Sequence, residues 1–174
     1  MSWEWSILYF FQQLHTPVLD QIMIVITHLA SKGAFWLSLG VVFLFFKKTR
    51  SLGLTMLVSI LFSFLIGNLF LKNLVQRSRP YWLDPSVSIL VPHLNDYSFP
   101  SGHTMVSFSG ALPIYYYNKK WGIWSLALAT LIALSRLYHF VHFPTDLIGG
   151  FLVSFLSVHL AIKILHLFES KKGL

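Results

Sequence analysis

Leu52 to Pro80 reads L-G-L-T-M-L-V-S-I-L-F-S-F-L-I-G-N-L-F-L-K-N-L-V-Q-R-S-R-P. Its apolar part, Leu52–Val75, is the longest apolar run of the chain. It exceeds the ~20 residues a helix needs to cross a bilayer, and so predicts a membrane-crossing helix. Its end carries Lys72, Arg77 and Arg79. Ionisable groups at membrane depth are costly and default to a functional reading. If the helix runs on to Pro80, Lys72 and Arg79 lie about two turns apart on one face, and Pro80 stops it. Two such cations can share the charge of a phosphate, Arg in bidentate fashion. Snorkelling cations at a membrane boundary are the plain alternative.

Working outward, Trp3–Leu14 looks amphipathic, and its two Trp and one Tyr fit an interfacial helix. The other apolar segments are Pro17–Ala30, Gly33–Phe46, Ser101–Tyr117, Trp121–Leu137 and Pro144–Leu167. The expected architecture is all-α: an integral membrane six-helix bundle with an N-terminal interfacial amphipathic helix. Of 174 residues, 55% are hydrophobic and only 11% charged, against about 25% charged in soluble domains. No polar linker divides the chain, so residues 1–174 read as one domain. There is no cysteine, which excludes disulfides, thiolate nucleophiles and cysteine metal sites. The net charge of +7 does not point to nucleic acid, because the cations sit where apolar segments end. The first residues, M-S-W-E-W, lack a basic stretch and a cleavage site, so no cleaved signal peptide is expected.

Lys47, Lys48, Arg50, Lys119, Lys120, Lys171 and Lys172 follow the second, fourth and sixth segments. The positive-inside rule places those ends in the cytoplasm. Six crossings then put both termini inside. They also put the Gln76–Phe99 loop, the start of the fourth segment and the turn before the sixth on the outer face. All the chemistry-bearing stretches meet on that face.

Two further motifs lie there. Pro100-Ser101-Gly102-His103 precedes the fourth segment. Ser101 suits an N-cap, the first-turn amides suit an anion, and Gly102 lets a ligand approach. His103 in that turn is placed to protonate a leaving oxygen; a capped helix with an interfacial histidine is the bland reading. The third motif is S-R-L-Y-H-F-V-H-F-P-T-D, Ser135 to Asp146. Arg136 closes the fifth helix, Pro144 opens the sixth, and Asp146 in its first turn can reach back to His142. A carboxylate on one imidazole nitrogen fixes the tautomer and leaves the other as a nucleophile. Alternatively Asp146 only caps the helix. His139, three residues before His142, reads as a structural interface residue, with a second site histidine as the alternative. His15, His28, His93, His159 and His166 have no mutual metal-ligand spacing.

The pattern K-x6-R-P, P-S-G-H, S-R-x5-H-x3-D, carried here by Lys72, Arg79 and Pro80, Pro100 to His103, and Ser135, Arg136, His142 and Asp146, resembles the type-2 phosphatidic acid phosphatase superfamily. The resemblance implies a membrane bundle with an outer-leaflet site. It implies His142 as the nucleophile forming a phosphohistidine, His103 as the acid and Asp146 as the orienting carboxylate. Lys72, Arg79, Arg136 and the first-turn amides of Ser101, Gly102 and His103 would hold the phosphoryl oxygens. No metal and no cofactor are implied, since fixed cations do the electrostatic work. Arg77 lies outside the signature, and is read as an extra cation able to assist a diphosphate. The expected substrate is a membrane lipid phosphate: undecaprenyl diphosphate, phosphatidylglycerol phosphate, phosphatidic acid or a lipid A phosphate. A lipid-to-lipid phosphotransferase would share the whole site. A lipid or anion transporter would use the cations but not the His–Asp pair. The soluble haloperoxidases share the signature but not the apolar segments.

Overall fold

The computed structural model describes residues 2–172. Met1, Gly173 and Leu174, the ends of the expected 1–174 domain, lie outside them. Among the described residues every regular element is helical and none is a strand, with one long irregular loop at 84–101. In order they form α1 (Trp3–Gln13), α2 (Pro17–Leu29), a 3-10 turn (Ser31–Gly33), α3 (Ala34–Leu44) and α4 (Arg50–Ser63). A π-helical segment (Phe64–Leu71) and α5 (Lys72–Val75) extend α4. Then follow α6 (Pro80–Leu83), α7 (Gly102–Tyr117), α8 (Lys119–Tyr138) and α9 (Pro144–Lys172).

Three helical stretches are long and apolar enough to cross a membrane: Arg50–Leu83, Lys119–Tyr138 and Pro144–Phe168. The bent pair Pro17–Leu29 and Ser31–Leu44 makes a fourth if counted as one span. α7 has 16 residues, about 24 Å at helical rise, short of the ~30 Å hydrocarbon core. On α9, Ile148, Leu152 and Phe155 stay about half exposed, a stripe at helical spacing that suits lipid rather than water.

The expected count of six separate crossings meets a different path. Lys32 and Gly33 both take left-handed backbone (φ 53° and 70°) between α2 and α3. The two axes nevertheless differ by only 44°, so α3 continues in the direction of α2 instead of turning back. The chain's beginning also lies at the site end of the bundle. Leu8 of α1 is buried with Tyr81, Leu137, Phe140, Val141 and Phe143. Trp5 meets Phe143 edge-on at 5.3 Å, and Tyr9 donates to Asp84 Oδ2 (2.6 Å). The amphipathic face of α1 therefore packs on protein, over the turn between α8 and α9.

Elsewhere the helices approach closely through small residues, as membrane bundles do. A Cβ on Gly122 would fall 2.1 Å from the Cα of Tyr115, which fixes how tightly α7 and α8 pair. One on Gly110 would strike the Trp36 ring at 2.4 Å. The central apolar cluster includes Trp36, Met56, Ile60, Ala111, Ile114 and Ile132.

Candidate active site

Lys72 reaches the site from α5. Arg79 does not share its helix, contrary to the two-turn expectation. The helix stops at Val75 because Gln76 turns left-handed (φ 49°), and Arg79 sits in extended backbone just before Pro80. Ser101 caps α7 as expected, its Oγ accepting from Thr104 N (3.4 Å). Its own amide, however, donates to the Asp146 carbonyl (3.0 Å). Ser101 thus ties α7 to α9, and the first-turn amides left for an anion are those of Gly102 and His103. α9 comes close enough for this bond because Gly150 faces it: a Cβ there would lie 2.9 Å from the Ser101 carbonyl oxygen.

His142 hangs between α8 and α9. α8 ends with Phe140 N donating to Leu137 O (2.9 Å) and Val141 N to Arg136 O (3.2 Å). This is the paired closure that usually carries glycine at the left-handed position. Here Phe140 takes it (φ 57°), held by burial against Trp5 and Tyr9. The turn aims the His142 ring inward, where it is almost fully buried.

Its Nδ1 faces Asp146 Oδ2 at 3.4 Å and Ser98 Oγ at 3.4 Å. Ser98 Oγ itself donates to Asp146 Oδ2, which also accepts from Phe143 N (2.8 Å). On the other side, Arg79 Nη1 lies 3.2 Å from His142 Nε2. A guanidinium only donates, so Nε2 is the acceptor and the ring proton belongs on Nδ1, toward Asp146. Burial pushes the imidazole down to about 3, with the Arg79 and Arg136 charges adding and Asp146 opposing. His142 is thus a neutral base whose Nε2 lone pair points toward the site cations.

Lys72, Arg79, Gly102, His103 and His142 line one cavity of about 570 Å³. The rest of its lining is mostly apolar, with Leu37, Leu57, Ile60, Leu61, Phe64 and Val106, and adds the polar Lys32, Ser63, Asn68 and Asp96. Arg136 is buried next to it, donating to Thr27 Oγ1 (2.5 Å). It is near enough to feel the charges of Arg79, His103 and His142, but it does not line the cavity. His139 stays out of the cavity too. It is buried between Tyr138 and the Asp20 region, and burial lowers it to about 4. Among the described residues no group of three or more His, Cys, Asp or Glu gathers to hold a metal ion.

Asp96 and Ser98 entered the site without a signal in the sequence. Asp96, in the loop after α6, takes Lys72 Nζ on Oδ2 (2.5 Å) and Arg79 Nη2 on Oδ1 (2.7 Å). Its backbone carbonyl accepts Arg79 Nε (2.7 Å). Burial would raise this carboxyl, but the Lys72 and Arg79 charges win and hold it at about 2. A carboxylate therefore occupies the two cations that a phosphate would need. Arg77 also differs from its expected role. It is absent from the cavity wall and donates instead to Asp146 Oδ1 (2.6 Å), Thr145 Oγ1 (2.6 Å) and Glu4 Oε2 (2.7 Å).

The model of the PAP2 superfamily matches residues 48–169, which include the three segments that meet here. An undecaprenyl-diphosphatase of Sulfolobus acidocaldarius is 34% identical over 131 residues, 72% of this chain and 63% of that protein. The chain thus spans less than two thirds of that relative. The crystal structure of a transmembrane PAP2 type phosphatidylglycerolphosphate phosphatase from Bacillus subtilis superposes with a TM-score of 0.73 at 29% identity. That superposition covers 95% of this chain and 84% of the other. Aquifex aeolicus LpxE shares the fold with a TM-score of 0.83 at 24% identity, covering 94% and 96% of the two chains. With the same three segments converging on one cavity between its helices, this chain is a member of the PAP2 superfamily.

Proposed function

We propose that the protein is a membrane lipid phosphatase that hydrolyses a phosphate monoester or diphosphate through a phosphohistidine on His142. One observation carries the reading. The neutral Nε2 of His142 and the cations Lys72 and Arg79 face a cavity whose remaining lining is mostly apolar. That pairing suits a phosphate on an apolar tail.

The steps follow from the groups present. The phosphoryl group displaces Asp96 from Lys72 and Arg79, which then hold its oxygens. Gly102 and His103 offer first-turn amides. Arg79 swings its Nη1 from His142 Nε2 to the phosphate, freeing the lone pair. Nε2 attacks phosphorus, the bond from phosphorus to the leaving oxygen breaks, and His103 gives that oxygen a proton. The resulting positive charge on His142 is stabilised by Asp146 across Nδ1. Water then attacks the phosphohistidine, His103 takes its proton, and phosphate leaves as Nε2 regains its pair. No cofactor enters these steps.

The site opens on the outer face of the cytoplasmic membrane. Lys47, Lys48, Arg50, Lys119 and Lys120 sit at the opposite end of the helices, as the positive-inside rule asks of a cytoplasmic face. The bonds from Glu4 and Tyr9 to site-end residues support an amino terminus on the outer side, not inside. The bent α2–α3 path, the α4 path, α7, α8 and α9 then cross the membrane, and α1 lies at the outer interface. The test is release of phosphate from undecaprenyl diphosphate, phosphatidylglycerol phosphate, phosphatidic acid and lipid A by purified protein. His142→Ala serves as the control: turnover on at least one lipid, abolished by the variant, is expected. Turnover that persists in His142→Ala would refute the reading.

A further inference from the structure

We propose that Arg77 and Glu4 are positioning residues for the orienting carboxylate Asp146, so that α1 is part of the catalytic apparatus. The inference rests on the His142–Asp146 reading above.

Asp146 has two oxygens with separate partners. Oδ2 serves the histidine side, taking Ser98 Oγ and Phe143 N and facing His142 Nδ1. Oδ1 accepts one ion-pair contact, Arg77 Nη1 at 2.6 Å. The Asp146 side chain is fully buried. A buried carboxylate without a counter-charge is costly, and the His142 contact at 3.4 Å is too long to hold it alone.

Arg77 is itself fixed from three sides. Its guanidinium lies 4.1 Å from the centre of the Phe143 ring. Nη1 also donates to Thr145 Oγ1, and Nη2 is paired with Glu4 Oε2 (2.7 Å). Glu4 closes the circuit, its Oε1 accepting from Thr145 Oγ1 (2.6 Å) and Thr145 N (3.2 Å). Thr145 precedes Asp146 in the first turn of α9, so Glu4 holds the backbone that carries Asp146 as well as the arginine that holds its side chain. With Glu4, Thr145 and Asp146 engaged, both Nη atoms of Arg77 are committed to protein partners.

A positioning role has a kinetic signature. Arg77→Gln should lower kcat about 10- to 100-fold, as loosened orienting groups do, with KM within about twofold. It should do so equally on a lipid monophosphate and a lipid diphosphate. Arg77→Lys should recover part of the loss, since one ammonium can meet Asp146 but cannot bridge to Glu4 as well. The decisive variant is Arg77→Gln combined with Asp146→Asn. If Arg77 acts through Asp146, the double variant is no slower than Asp146→Asn alone. Multiplying losses would overturn the proposal. The reversed pair Glu4→Arg with Arg77→Glu should regain thermal stability by re-forming the ion pair. It should stay inactive, because a carboxylate then faces Asp146; regained activity would reduce the contact to a tether. A loss confined to diphosphates would make Arg77 a substrate residue. An unimpaired Asp146→Asn would instead refute the underlying His–Asp reading, whereas an impaired Asp146→Asn with a fully active Arg77→Gln would sink this inference alone.

Discussion

Asp96→Asn should make the enzyme bind phosphate more tightly. In the free protein the Asp96 carboxylate bridges Lys72 and Arg79 at 2.5 and 2.7 Å, so every incoming phosphate must first displace it. Asparagine keeps the shape and removes the charge. Charge-assisted bonds can contribute ~1.5–3 kcal/mol each when shielded. The Asp96 side chain is 54% exposed, so the exposed-pair range of ~0.2–1 kcal/mol each is the better guide. Two such contacts total about 0.4–2 kcal/mol, which corresponds to about 2- to 30-fold in affinity. The inhibition constant of inorganic phosphate, measured against a short-chain lipid phosphate in detergent, should fall by that factor. The carboxyl is held at about 2, so wild-type competition should persist across any neutral or mildly acidic assay. An unchanged or weakened inhibition constant in Asp96→Asn would refute the reasoning, and would show that Asp96 holds the cations in place instead of blocking them.

His103→Ala should lose ~10²–10⁴-fold on an alkyl phosphate, and much less on a nitrophenyl phosphate, whose phenolate leaves unprotonated; equal losses would remove the acid role. Imidazole nitrogen NMR should find His142 neutral, with its proton on Nδ1, at pH 5, since it titrates near 3; a charged ring at that pH would contradict the geometry. Because the unfolded chain takes up those protons near 6.5, thermal stability should be full above about pH 6.5. It should then fall as pH drops toward 3, with His139, at about 4, adding to the slope; a flat profile would count against both assignments. Cysteines at Ser6 and Ser86 should label from outside intact cells and one at Lys120 should not; a protected Ser6 would restore the cytoplasmic amino terminus. Activity should survive EDTA, and loss reversed only by added metal would contradict the role given to Lys72 and Arg79.

Much of the site was legible because charged groups inside apolar sequence have few bland explanations. Ser101 and Pro144 open helices by local rules, which put His103 and Asp146 in first turns; Pro80, expected to stop a helix, opens α6 instead. What escaped depended on long-range contacts. Nothing in a polar loop distinguishes Asp96 from its neighbours until Lys72 and Arg79 meet it. Arg77 read as a spare cation for a substrate, because its partner Glu4 lies 73 residues away. The amphipathic stripe of α1 fits a membrane interface and a protein surface alike, and only the packing of Leu8 decides. Pro17–Ala30 and Gly33–Phe46 read as two separate crossings. A left-handed pair can also continue a helix with a bend, and it does so here. Arg79 was placed on a helix that ends at Val75, since Gln76 carries no obvious stop signal.

The most direct measurement is rapid acid-free quenching of the enzyme with a lipid carrying a labelled terminal phosphate, followed by mass spectrometry of the peptide spanning Arg136 to Asp146. The account predicts a transient, acid-labile, base-stable phosphoryl group on His142, absent from His142→Ala and longer-lived in His103→Ala, where water is no longer activated. Label on another residue, or turnover with no phosphoenzyme at any time, would contradict the central claim that His142 is the nucleophile.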